Sequence, residues 1–318
     1  MRRVAAAAVA ATVALALVGT AAPASAATGV SPRGERLFVN PSSDAARAAA
    51  VATDPEDRAA LHRVAGQATA EWFGDWIPTA QVAERARTLT RSAAAAGTTA
   101  VLVAYAIPAR DCNGYSAGGV GSPAAYRAWV DQLALGIGSA RALVVVEPDA
   151  LAQLTCLPEA LRAERLELLR YAVTRLSRES TRTYLDAGHS RWVPAAEMAS
   201  RLRAAGVARA RGFALNVSNF HETPEQITYG RALAASVAKP FVVDTSRNGL
   251  GRGSEGWCNP PGRALGTPPT TTTGQAQVDA YLWVKTPGRS DGDCGRGEPA
   301  AGTFWPAYAV GLAERASW

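Results

Sequence analysis

Short runs of β-branched and aliphatic residues recur along the chain, separated by alanine- and leucine-rich stretches. The apolar runs predict strands over residues 100–106, 142–146, 183–185, 213–217, 241–243 and 281–284, with a weaker one over 68–73. Between most of them the apolar spacing is helical, most clearly over 123–135, 158–176 and 194–205. Proline opens all three stretches, where its fixed φ and missing N–H suit a first helical turn. Strands that alternate with helices form parallel βαβ units. About seven such units with no linker between them favour a single closed or nearly closed α/β barrel, with an open doubly wound sheet as the alternative. The Gly/Pro/Thr-rich stretch over 246–274 is too long for an ordinary connection and is expected to be functional.

The N-terminus departs from this rhythm. Arg2 and Arg3 precede an apolar run over residues 4–18, interrupted only by Thr12, and Ala24-Ser25-Ala26 offers the small residues that signal peptidase requires. The run is short for a bilayer span and has no basic flank on its far side, so residues 1–26 read as a cleaved export signal. Residues 27–318 then read as a single domain, secreted to the extracellular space. No later apolar run approaches the ~18 residues of a membrane helix, and no membrane association is expected. Export suits Cys112, Cys156, Cys258 and Cys294, which are even in number and lack C-x-x-C spacing. Two disulfides are the natural reading, with three pairings open.

A hydrophobic share of 48% with only 19% charged residues excludes a disordered chain. The net charge of +6 would suggest a nucleic-acid partner if the basic residues clustered. They do not. Only Lys239 and Lys285 are lysines, the arginines are scattered among alanines, and no basic run exceeds Arg2-Arg3. No nucleic acid is expected to bind.

Nearly every apolar run ends in a carboxylate or an amide. Asp111 follows the run at 100–106, Glu147 and Asp149 the next, then Asp186, Asn216 with Asn219, and Asp244; Lys285 and Asp291 follow the last. In an α/β barrel the carboxyl ends of the strands share one rim, so these groups should converge. One aspartate alone could be a helix cap; a whole set at matching ends is harder to dismiss. Three histidines (His62, His189 and His221) offer no metal cluster, and no G-x-S-x-G elbow occurs. Gly249, Gly251 and Gly253 do not join a strand to a helix as a nucleotide loop would. Neither metal nor cofactor is expected. Converging carboxylates instead suit proton transfer on an uncharged substrate, with glycoside hydrolysis the main case. Trp129 and Trp283 fall within a helix and a strand and are expected in the core. Trp72, Trp192 and Trp257 lie at strand ends or in loops, where their faces could stack on sugar rings.

Two strings carry a specific resemblance. Val103-Ala-Tyr-Ala-Ile-Pro-Ala-Arg-Asp-Cys112, with Ser116-Ala-Gly-Gly119 after it, and Val144-Val-Val-Glu-Pro-Asp-Ala-Leu151 resemble the two signatures of the glycoside hydrolase family 6 cellulases. Tyr184-Leu-Asp-Ala-Gly-His-Ser190, Asn216-Val-Ser-Asn219, Asp244-Thr-Ser-Arg-Asn-Gly249, Trp257-Cys-Asn-Pro260 and Trp283-Val-Lys285 extend the resemblance over the mature chain. It implies a distorted seven-stranded parallel β/α barrel, TIM-barrel-like, with disulfides Cys112–Cys156 and Cys258–Cys294. It also implies one catalytic domain over 27–318 that hydrolyses β-1,4-glucan with inversion and is expected to act as a monomer.

Carried over by position, Asp149 is the proton donor and Asp111 the carboxylate that keeps it protonated. Asp291 is the candidate base, Asp186 a supporting carboxylate, and Tyr105 the tyrosine beneath the distorted sugar. Trp72, His189, Trp192, Asn219, Trp257 and Lys285 match sugar-binding positions. The short stretch between Cys258 and Cys294 resembles endo-acting members. Two positions depart from the pattern: Arg289 stands where a substrate-binding glutamate is usual, and Ala117 where a serine is common. They leave an alternative reading, a catalytically weakened relative that binds β-glucan or acts on a different one. Arg289 is also expected to approach Lys285 and lower the pKa of Asp291.

Overall fold

Seven strands form one parallel sheet whose spatial order follows the chain: β1 (Glu71–Gly74), β2 (Ala100–Tyr105), β3 (Ala142–Val146), β4 (Thr181–Asp186), β5 (Gly212–Leu215), β6 (Phe241–Asp244) and β7 (Val278–Leu282). The computed structural model describes residues 1, 30–254 and 256–318. The apolar run and cleavage point of the expected export signal lie outside the described residues. A doubly wound sheet would reverse its order part-way; this one never does. Its two edges meet through a parallel bridge between Thr69 and Trp283, with the Ala70 N–H donating to the Trp283 carbonyl at 2.9 Å. The sheet therefore curls into a nearly closed barrel.

Every residue of β2, β3 and β4 is buried, as expected for strands covered on both faces. Alternate side chains divide between two cores. Leu102, Ala104, Val144 and Val146 pack outward beneath the helices. Val101, Val103, Leu143, Val145 and Tyr184 fill the barrel interior. The crossovers are α3 (Thr79–Ala95), α4 (Pro123–Ile137), α5 (Glu159–Leu176), α6 (Ala195–Ala204) and α7 (Thr223–Val237). A third cluster gathers α1 (Asp44–Val51), α2 (Pro55–Ala65) and α8 (Pro306–Glu314) around Leu61, Val64, Leu312 and Trp283. Trp129 and Trp283 are both buried, as their predicted elements required.

Several boundaries differ from the sequence-based expectation. Strand β7 ends at Leu282 and begins earlier than expected, at Val278, because Asp279 belongs inside the barrel. That carboxylate accepts the Tyr184 hydroxyl at 2.9 Å and pairs with Arg211 at 2.8 Å. Likewise β4 begins at Thr181, since Arg182 is buried and neutralised by Glu35. A paired charge can occupy a strand that a hydropathy pattern would end. Pro158 and Pro194 are N-caps, so α5 and α6 start one residue later than expected. Among the described residues no helix separates β6 from β7; the long loop stands there instead, and its Arg252, Gly256 and Trp257 border the cleft at the barrel's carboxyl end.

Candidate active site

A cleft of about 920 Å³ opens at the carboxyl ends of the strands. The turn after β3 supplies its central carboxylate. Glu147 and Asp149 flank Pro148, both with left-handed backbone (φ 52° and 69°). This reversal sends two carboxylates in opposite directions. Glu147 turns under the helices, where its oxygens accept the Ala106 and Ile107 N–H groups at 3.1 Å and the Tyr126 hydroxyl at 2.9 Å. Burial lifts its pKa to about 7. Asp149 faces the cleft. Burial, then the charges of Asp186 and Asp111, push its carboxyl well above the ordinary range. These surroundings favour the protonated form of the group.

Asp186, at the end of β4, lies behind this acid. Its Oδ1 accepts the Asp149 N–H at 2.9 Å and the Gly188 N–H at 3.1 Å, while its buried Oδ2 has no partner. Burial raises its pKa to about 7. Asp111 approaches from the loop after β2. Its two oxygens accept the Ser116 N–H at 2.8 Å and the Gln153 side-chain amide at 3.0 Å. The Cys112–Cys156 disulfide ties that loop to the segment following Asp149, and Cys258–Cys294 joins the loop of Trp257 to that of Asp291.

Asp291 has the opposite electrostatics. One oxygen takes the Lys285 ammonium at 2.8 Å; the other takes the Arg247 guanidinium at 2.8 Å and the Asn259 N–H at 3.1 Å. Burial opposes ionisation, but Arg247 and Lys285 outweigh it and hold the carboxyl below its usual range. The expectation that Arg289 would do this is corrected. Arg289 borders the cleft, yet its guanidinium turns to Asp44 on α1 at 2.8 Å. Asp44 is a carboxylate outside the predicted site, and it draws the arginine away from Asp291. Asp244 also stands apart from the chemistry. It accepts N–H groups from Ser218, Ser246, Val284 and Lys285, binding the ends of β5, β6 and β7 together.

Aromatic rings line the walls. Tyr105 ends β2, meeting Trp72 edge-on at 5.1 Å, and the Trp72 indole N–H donates to the Val284 carbonyl at 2.8 Å. His189 lies 5.3 Å from Trp192 and 4.1 Å from His221. Burial, then the neighbouring His221, lowers its pKa to about 3. Asn219 borders the cleft, its amide donating to the Val217 carbonyl at 3.0 Å. Trp257 and Tyr115 are both largely exposed, 6.1 Å apart, on loops from different strands. Among the described residues no group of three or more His, Cys, Asp or Glu could hold a metal ion, and no helix is long and apolar enough to cross a membrane.

Residues 32–316 match the family model of glycosyl hydrolases family 6. The chain belongs to glycosyl hydrolase family 6. Endoglucanase A of Cellulomonas fimi is 42% identical over 284 residues, covering 89% of this chain and 62% of that protein. Endoglucanase 1 of Streptomyces halstedii is 42% identical over 307 residues, covering 93% of this chain and 94% of its own. The endoglucanase Cel6 from Mycobacterium tuberculosis, solved with methyl-cellobiosyl-4-deoxy-4-thio-β-D-cellobioside, superposes with a TM-score of 0.87. It is 48% identical, with 90% of this chain and 99% of that chain covered. The chain thus spans less than two thirds of the Cellulomonas fimi protein and nearly all of the other two.

The family 6 cleft also contains residues that sequence reasoning passed over. Arg247 lies within the Asp244–Gly249 string but carried no assigned role; only its fully buried position beside Asp291 shows one. Gln153, four residues past Asp149, orients Asp111 across the disulfide-linked loops. Trp76 and Arg110 form a further part of the wall. A tryptophan just past a strand end was the available signal for Trp76.

Proposed function

We propose that this family 6 chain is a secreted, monomeric, endo-acting β-1,4-glucanase, one catalytic domain behind an export signal, which cleaves with inversion. One observation carries the reading: the cleft sets Asp149, whose burial and carboxylate neighbours favour the protonated form, against Asp291, whose Lys285 and Arg247 contacts at 2.8 Å favour the ionised form. Two groups whose surroundings drive their pKa values apart suit an acid and a base. Asp149 protonates the departing glycosidic oxygen. Asp111 and Asp186, by their negative charge, favour retention of that proton until the bond weakens. Tyr105 and Trp72 offer ring surfaces to the sugar at the cleavage point. Both oxygens of Asp291 are already engaged by cations, which makes it a poor covalent nucleophile. It fits better as the acceptor of a proton from water, directly or through a second water, and a water attack from the opposite face inverts the anomeric centre. The short stretch of 36 positions between Cys258 and Cys294 supports attack within a chain. Of the two departures behind the weakened-relative reading, Arg289 is taken up by Asp44, and Ala117 borders the cleft without disturbing any of the carboxylate contacts described, so no observation favours that second reading.

Asp149→Asn is expected to lower turnover on soluble β-glucan by ~10²–10⁴-fold. The loss should be smallest on substrates whose leaving group needs no proton. NMR of the first products should show the α-anomer; β-anomer first, or unchanged turnover in Asp149→Asn, would remove the reading.

A further inference from the structure

The wall of the cleft beside Tyr105 carries a ring that the acid and base assignments leave unused. Trp76 lies two residues past β1, borders the cleft, and keeps 54% of its surface exposed. It is nonetheless braced. Gly74 leaves room for the indole to lie against the backbone; a Cβ there would sit 2.2 Å from the ring's Cζ3. On another side the Arg110 guanidinium stands 5.5 Å from the ring centroid. Arg110 is fixed in turn, buried and bonded to the Asp75 carboxylate at 2.6 Å, the Tyr105 carbonyl at 2.7 Å and the Ser116 carbonyl at 2.8 Å. The same guanidinium lies 4.4 Å from the Tyr105 ring, so Trp76 and Tyr105 flank a single cation.

We propose that Trp76 is a stacking platform for a glucosyl unit beyond the one over Tyr105, giving the cleft an additional sugar-binding position on this wall. The proposal rests on the glucanase reading and extends the length of glucan that the site grips. A β-glucosyl ring presents an apolar C–H face that suits an indole and equatorial hydroxyls that need polar partners. Asp75, a quarter exposed beside the ring, has acceptor capacity left over from its bonds to Arg110 and the Gly119 N–H. A ring fixed in advance loses little conformational freedom when a sugar docks.

The test is a ladder of affinities. Calorimetry on the Asp149→Asn enzyme, which turns over too slowly to consume the ligand, follows cellotriose through celloheptaose, with and without Trp76→Ala. Affinity should rise with each unit gripped, and Trp76→Ala should remove the increment of the unit that reaches this ring, roughly threefold to tenfold. Trp76→Phe should retain part of it. A uniform loss at every length would mean that the ring only braces Arg110, and an unchanged ladder would mean that no sugar docks there; either result overturns the proposal. If the parent enzyme binds no cello-oligosaccharide at all, the glucanase reading falls first and this position with it.

Discussion

Arg247 and Lys285 come from different loops, one after β6 and one after β7, yet both reach the carboxylate of Asp291. With Arg247 replaced by methionine, Lys285 is the one cation left to oppose the burial of that carboxylate, helped only by the Asn259 N–H. The Asp291 pKa should then rise, and the acid limb of the pH–rate profile should move upward by about one unit. Breaking a buried pair also leaves charge uncompensated, which costs about 3 kcal/mol and is readable by urea unfolding. An acid limb that stays in place would show that another group titrates there. The arginine at 289 is expected to behave differently. A glutamate at that position would face Asp44, so Arg289→Glu has no clear route to higher activity. Positions such as Asp111, Asp149 and Asp291 were legible because short strings mark the ends of strands. Their partners were not, since the routes of Arg247, Gln153 and Arg289 depend on how long loops fold back.

At the scale of elements, Glu147 acts as a staple. From the end of β3 it gathers the backbone leaving β2 and the Tyr126 hydroxyl of α4. Its folded pKa of about 7 exceeds the ordinary value of 4.5. The unfolded chain therefore releases this proton first. The folded state loses stability from this group as pH rises above 4.5, and the loss is complete above about 7. Glu147→Gln cannot ionise, so its stability relative to the wild type should improve by about 2–3 kcal/mol between pH 4 and pH 8. Thermal or urea unfolding at both pH values checks this, and a constant difference would show that Glu147 does not titrate in that range. Most strands were legible because their interiors are uniformly apolar. The edges of β4 and β7 were not, because Arg182 and Asp279 lie inside the barrel with partners distant in the chain.

Across the whole molecule, each disulfide restrains a loop that bears a cleft residue. Cys112–Cys156 closes 44 residues, a constraint worth about 4 kcal/mol on the unfolded chain. Replacing both cysteines with alanine should lower the unfolding free energy by about that amount. It should also reduce kcat more than it weakens binding, because Asp111 and Gln153 lie on the two segments joined. Equal kcat with lower stability would confine the bridge to a structural role. The barrel itself is laced unevenly. Neighbouring strands share several paired residues, whereas β1 and β7 meet through the Thr69–Trp283 bridge, the Ala70 bond and the Trp72 indole. A split ring flexes at its gap. Here the gap lies beneath Trp72 and Lys285, so the mouth of the cleft sits over the line where the fewest bonds hold the ring closed.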